Sequence, residues 1–407
     1  MSRTATFISI LLLFVLILAG LWWWIFFEKS SSPISTPTNT TRPQAFSPLN
    51  PNNTTTQPTS TTTPPEEEPT INSETPAFVP KKIRKLYPTP VAYGLTASST
   101  ASSSSVFFVD RGTGHIYNMS IDEERPDKIS NTTILRVFEN IIDPKAKNIV
   151  LRYIKEGSEI ITTVFAPIDT EIKAKGATNN IQEITLSPKG DRIFILENTT
   201  SGSSGYISKI DGTVKTLVFT SPLKELLATW PEEGTISITT KASYLKPGYL
   251  FLLNAKTGDS KKVLGPIYGL TSNVSGDGKR VLFSVSDSGK ISTKMLNLSD
   301  GSIQETLLQT LPEKCIWSKV KKTSVYCAVP NDPAQNMPDA WYKGLVRGVD
   351  QIWHLDTVTN EVGKLSNLLT DTGTLIDAVN LTLDEKEYAL YFINQNDLSL
   401  WSADLRE

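Results

Sequence analysis

Three regimes of hydrophobic and polar patterning follow one another along the chain. Phe7 to Phe27 reads FISILLLFVLILAGLWWWIFF, 21 residues without a charge, interrupted only by Ser9 and Gly20. From Ser30 to Pro80 the apolar residues thin out, and 13 Thr, 7 Ser and 11 Pro fill 31 of 51 positions. Beyond Pro80, brief runs of β-branched, aromatic and leucine residues alternate with clusters of Gly, Asn, Asp, Pro and Ser.

The first regime predicts a transmembrane helix over 7–27. At about 1.5 Å per residue it would cover roughly 30 Å, the thickness of a bilayer core. A cleaved signal peptide would have a shorter apolar stretch followed by small residues. Here the run ends in Trp22, Trp23, Trp24, Ile25, Phe26 and Phe27, and indole rings suit a headgroup interface. Arg3 and the amino terminus precede the span, whereas Glu28 and Lys29 cancel after it. The positive-inside rule then puts residues 1–6 in the cytoplasm and everything after the span outside it.

The second regime, 28–80, predicts a disordered Thr/Ser/Pro-rich linker, because its residue types offer too little apolar surface to offset the entropy of ordering. As a flexible coil it would reach roughly 40 Å, and as an extended polyproline-like chain roughly 160 Å. Asn39 and Asn53 each begin an Asn-x-Thr sequon, which a spacer of this composition also produces by chance.

The third regime, 81–407, predicts an all-β domain built from repeats. Val106 to Val109, Ile149 to Ile154, Ile193 to Leu196, Val281 to Val285 and Leu390 to Ile393 read as strands bounded by turn residues. One motif recurs as Leu186-Ser-Pro-Lys-Gly-Asp-Arg-Ile-Phe194 and Val274-Ser-Gly-Asp-Gly-Lys-Arg-Val-Leu-Phe283, and more weakly over 381–392. Gly and Asp tolerate the left-handed backbone of a hairpin turn, and the flanking apolar residues pair across it. A second motif, a strand opening on Gly or Asp, begins at Gly114, Gly205, Gly248, Gly289, Asp350 and Asp397. Four strands per unit with a repeat in the 40s is the mark of a β-propeller blade. The 327 residues from 81 to 407 give about 47 per unit if there are seven four-stranded blades; six or eight are the competing counts. The last unit stops one strand short, and Ile83-Arg-Lys-Leu-Tyr87 is the segment that would complete it and close the ring.

The Ser-Pro-Lys-Gly-Asp-Arg-Ile-Phe and Ser-Gly-Asp-Gly-Lys-Arg-Val-Leu-Phe segments resemble the Ser-Pro-Asp-Gly-Lys-x-hydrophobic repeat of TolB-like, WD-type bacterial propellers. The resemblance implies a propeller of bacterial envelope type used for protein contacts. The anchor and stalk depart from TolB, which is soluble and has a separate N-terminal domain, so neither its partner nor any functional residue is carried over.

Charge narrows the function. The chain carries 40 Lys+Arg against 42 Asp+Glu, and residues 81–407 balance at 37 of each sign. That excludes the basic footprint of a dedicated nucleic-acid binder. With two His and two Cys, no metal, cofactor or catalytic residue is assigned; calcium loops, nucleophile elbows, phosphate-binding Gly-rich loops and His-Glu-x-x-His are absent. Cys315 and Cys327 fall on neighbouring strands of the sixth unit, where an exported domain permits a disulfide; two buried free thiols are the alternative. His115 and His354 read as structural residues rather than ligands. The longest insertion, Pro330 to Val349, holds Trp341, Tyr342 and Arg347, the residue types that anchor interfaces. The opposing reading folds this loop over the propeller face and buries its aromatics. The sequence therefore points to a membrane-tethered, extracytoplasmic propeller that binds a protein or envelope polymer, more a scaffold than an enzyme. The alternative is a hydrolase or lyase acting on envelope glycans through carboxylates meeting at the channel.

Overall fold

The computed structural model describes residues 82–179 and 181–406. The expected anchor over 7–27, the linker over 28–80 and the cytoplasmic segment 1–6 lie outside the described residues. Among the described residues, no helix is long and apolar enough to cross a membrane.

Seven four-stranded antiparallel sheets follow one another. Six are contiguous, over 96–128, 137–179, 181–221, 226–268, 272–305 and 315–367. The seventh takes Ala378–Leu383, Ala389–Asn394 and Leu400–Asp404 and is completed by Ile83–Tyr87 from the other end of the domain. In each blade the strands a to d run as a meander, and the a strands of neighbouring blades approach one another around the central channel. The closing strand pairs Ile83 with Ala403, Arg84 with Ser402 and Lys85 with Trp401. The Lys85 ammonium lies 5.1 Å from the Trp401 ring centre. Both the seven-blade count and the strand expected to close the ring are as the repeat arithmetic predicts.

Each blade is hydrophobic on both faces because both are covered by neighbours. An apolar cluster accordingly sits in each of the seven interfaces between blades. The interface that closes the ring is typical: Leu86 and Tyr391 of blade 7 meet Val106, Phe108 and Met119 of blade 1, all buried. Burying one such aromatic ring contributes roughly 1.5–3 kcal/mol. Beside it, Tyr391 Oη donates to Ser104 Oγ at 2.8 Å and Ser104 Oγ to Asp384 Oδ2 at 2.7 Å. This relay satisfies three buried polar groups across the junction.

The recurring polar motif forms the a–b turns. In blade 3, Arg192 N donates to Ser187 Oγ (3.1 Å), which donates to Asp191 Oδ1 (3.0 Å), and Gly190 takes the left-handed position at φ 75°. Blade 5 repeats this with Ser275, Asp277 and Gly278 at φ 67°. In blades 2 and 7 the left-handed residue is Ala146 (φ 50°) or Glu387 (φ 58°). The missing glycine explains why these two copies are faint or invisible in sequence.

Candidate functional site

The meander places the a–b and c–d turns on one face of the ring, and the b–c and d–a connections on the other. The b–c connection of blade 6, residues 331–349, is the long insertion, and it crosses the mouth of the channel. Its base is closed by Asn331 N donating to Val349 O at 2.9 Å. From there it reaches four blades. Met337 N donates to Gly289 O of blade 5 (3.2 Å), and Asp339 accepts from Ser243 Oγ (3.0 Å) and Tyr244 N (2.7 Å) of blade 4. Tyr342 Oη donates to Glu313 Oε1 at the entry to blade 6 (2.6 Å), and Trp341 Nε1 to Asp377 Oδ2 at the entry to blade 7 (2.8 Å). The insertion is therefore a cap, with a short helix, Asp339–Tyr342, at its centre.

Under the cap lies a buried charge triad. Lys314 Nζ is 2.7 Å from Asp350 Oδ2 and 2.6 Å from Asp377 Oδ1, with 3% of the lysine side chain and none of either aspartate exposed. Gly348 N adds a bond to Asp377 Oδ2 at 3.0 Å, and Ala378 N one to Asp350 Oδ2 at 2.6 Å. Gly348 is required here, because a Cβ would stand 2.7 Å from Asp350 Oδ1 and 3.0 Å from Lys314 Nζ. The two carboxyls differ. Burial, with the Asp377 charge adding to it, pushes Asp350 up to about 6 against Lys314 and the Ala378 N–H, and its Oδ1 has no hydrogen-bond partner. Burial also acts on Asp377, but Lys314, Gly348 N–H and Trp341 outweigh it and hold that group below the usual carboxylate range. The same two aspartates outweigh desolvation at Lys314 and raise its pKa. The triad's negative surplus thus resides on Asp350, which is the member that takes up a proton first.

Beside the triad, a chamber of about 200 Å³ opens between the a strands of blades 3 to 5 and Tyr342 of the cap. Glu183 and Glu313 line it together with the hydroxyls of Thr229, Ser237 and Thr271. Desolvation raises Glu183 to about 8, with Glu139 of blade 2 adding to the shift and Arg152 opposing it. Desolvation raises Glu313 to about 7 against the bond from Tyr342, although the residue is exposed. A carboxyl that holds its proton near neutrality, as Glu183 does, can donate as well as accept hydrogen bonds. Among the described residues, no group of three or more His, Cys, Asp or Glu is arranged to hold a metal ion.

The residues singled out in the sequence fall as follows. Trp341 and Tyr342 are half-buried and point down, as cap anchors, while Arg347 is exposed, its guanidinium 3.3 Å from Val346 O. Cys315 and Cys327 are cross-strand partners with Cα atoms 4.0 Å and sulfurs 2.12 Å apart, within bonding distance. His354 sits on a c strand, away from the channel, its ring 5.2 Å from that of Tyr326, and burial lowers its pKa. His115 lies beside a c strand and contacts Thr133 Oγ1 at 3.3 Å. Lys314, Asp350, Asp377, Glu183 and Glu313 escape the sequence reading. Their local signal is weak: Lys314, Asp350 and Asp377 stand at the start of an apolar strand, whereas Glu183 sits within one.

No family model matches the chain, and no curated protein matches it. Among solved structures, the oligogalacturonate lyase from Vibrio parahaemolyticus is 11% identical, with 80% of this chain and 94% of that chain covered and a TM-score of 0.53. The β-propeller domain of the Trilobed protease from Pyrococcus furiosus is 12% identical, with coverage of 78% and 97% and a TM-score of 0.51. TolB from Acinetobacter baumannii is 12% identical, covering 70% of this chain and 65% of its own at a TM-score of 0.43, and carries no argument. At these identities the likenesses show the propeller fold alone.

Proposed function

We propose that the chain is a single-pass membrane protein whose propeller, held outside the cytoplasm on a flexible stalk, is a binding scaffold for a protein or envelope polymer. The observation that carries this reading is the character of the cap face. Leu345 at the tip of the cap is 75% exposed, and Leu245 and Tyr268 of blade 4, on the same face, are 67% and 50% exposed. Large apolar side chains left in water around a rigid, anchored loop are what an interface uses. The apolar span with its tryptophan border and the Thr/Ser/Pro stalk support the tether. The test is site-specific photocrosslinking in cells, with the crosslinker at Leu345 or at Val320 on the opposite face. Discrete adducts from Leu345 but not Val320 are expected, and the absence of adducts from Leu345 under all growth conditions rejects the reading. Fractionation tests the tether separately: recovery of the intact chain outside membranes removes it.

A second reading is favoured by the chamber. Glu183, with a raised pKa, and Glu313 line one space, and paired carboxyls in different environments serve acid–base cleavage of glycans. Degradation of purified envelope glycans that is lost in both Glu183→Gln and Glu313→Gln would establish the enzyme; unchanged glycans would dismiss it.

A further inference from the structure

The face opposite the cap carries a feature that neither reading uses. An open groove of about 600 Å³ runs between the a–b turns of blades 2 and 3 and the c–d turn of blade 3. Four lysines line it: Lys145, Lys147, Lys189 and Lys209. All four are exposed, and none makes an ion pair among the described residues.

The groove also contains acids, each with at least one carboxylate oxygen bonded within its own turn. Asp143 is buried and accepts from Lys145 N (2.8 Å), Lys147 N (3.1 Å) and Asn148 N (2.5 Å). Asp211 accepts from Thr213 N (3.0 Å) and Thr213 Oγ1 (2.6 Å). Asp191 accepts from Ser187 Oγ (3.0 Å) and lies 3.7 Å from Arg192 Nε. Arg192, the fifth cation, is itself held by Glu233 at 2.8 Å and lies against the Trp230 ring. The lining therefore sets four lysines that form no ion pair against three aspartates, with Lys209 near Asp211, on a domain whose total charge is balanced.

We propose that this groove binds an anionic polysaccharide, a hydrated chain carrying carboxylates along its length. Three features select that occupant. First, the free cations are lysines, point charges that recognise repeated negative charge without the planar fork geometry of arginine. Second, no aromatic side chain lines the groove, so there is no stacking platform for nucleic-acid bases. Third, the apolar anchors that carry a protein interface are missing, Ile210 being the one apolar side chain in the lining and itself buried. The reading of the domain as extracytoplasmic serves only to say where such a polymer is met; the binding chemistry is independent of it and of the cap face.

The test uses the full chain in non-ionic detergent micelles and fluorescently labelled alginate oligomers as the uronate probe, with polyphosphate and neutral dextran as the other arms. Saturable alginate binding is expected, weakening between 50 and 200 mM salt by at most about 50-fold, the limit set by counter-ion release from four contacts. Lys145→Glu with Lys189→Glu should weaken it at least tenfold, whereas Lys256→Glu with Lys364→Glu, the same charge change on other blades, should not. Because all four groove lysines are exposed, Lys147→Gln with Lys209→Gln provides a second variant with an undisturbed fold, checked by its melting temperature. Binding to polyphosphate alone, equal binding to dextran, or equal losses in the groove and control variants would each overturn the proposal. Failure here leaves the Leu345 crosslinking result untouched, so the two readings fall separately.

Discussion

Replacing Lys314 with Met removes the only cation from the triad while keeping most of the side-chain volume. In the native protein that ammonium lies within 2.7 Å of two carboxylates with no exposed surface. Removing one partner of a buried ion pair costs about 3–5 kcal/mol, because the charges left behind are neither solvated nor paired. The two aspartates should not suffer equally. Asp377 keeps its bonds from Trp341 and Gly348, whereas Asp350 keeps only Ala378 N. Asp350 therefore protonates first. Its folded pKa already stands at about 6, above the ordinary 3.8, and losing the lysine raises it further. A carboxyl with a raised folded pKa destabilises the fold above that pKa, and the penalty disappears as pH falls through it. The Lys314→Met deficit should thus be largest at pH 7.5 and shrink by at least about 1 kcal/mol at pH 5. Urea denaturation of the full chain in detergent micelles, followed by tryptophan fluorescence, measures both values. Adding Asp350→Asn and Asp377→Asn should recover most of the loss, since neutral amides carry no unpaired charge. Hydrogen exchange should also rise in residues 331–349, because the triad holds the cap. A loss below about 1 kcal/mol at pH 7.5, or equal deficits at both pH values, would refute the assignment of stability to buried charge pairing.

Three other outcomes follow from the geometry. Non-reducing mass spectrometry should recover Cys315 linked to Cys327; with a sequence separation of 12, loss of the link through the double Ser variant should cost about 3 kcal/mol, and free thiols in freshly isolated protein would contradict the bond. Gly190→Ala should destabilise the blade 2–3 junction by about 1–3 kcal/mol, because the residue holds φ 75° and a Cβ would stand 2.3 Å from Pro144 Cδ; an unchanged urea midpoint would mean that the turn relaxes. Glu183→Gln should leave stability unchanged near pH 4.5 and raise it at pH 8, since the carboxyl's folded pKa of about 8 lies above its ordinary 4.5 and penalises the fold once the unfolded chain ionises. Melting curves across that range check the sign, and a variant less stable than the native chain at pH 8 would place a favourable charge contact there.

What could be read from the sequence was whatever local chemistry imposes. Strands are visible because each is a short apolar run between turn residues, and the a–b turns of blades 3 and 5 because Gly190 and Gly278 fill a left-handed position. Where Glu387 fills it the motif is only faint, and where Ala146 does it leaves no trace in sequence; neighbouring blades hold the strained residue instead. Glu387, for example, accepts from Ser318 Oγ (2.6 Å) and Lys319 N (2.6 Å) of blade 6. Closure by Ile83–Tyr87 was legible as arithmetic, one strand missing at one end and one spare at the other. The triad and the lysine groove were not, and of the two readings the sequence left open for the loop over 330–349, the structure has the one folded across the propeller face. In sequence, Trp341 and Tyr342 read either as interface anchors or as aromatics buried under the loop, and only the fold shows their hydrogen-bonding groups consumed by Asp377 and Glu313. Lys314 and Asp377 are 63 residues apart, and Lys145 and Lys209 stand on different blades. Their meeting is set by how the blades pack, and an aspartate spent on its own turn looks, in a sequence, the same as one free to neutralise a neighbouring lysine. Hydropathy and turn residues act over a few neighbours and so are written along the chain; electrostatics acts through space, and only the closed ring decides which charges are paired and which are left for a ligand.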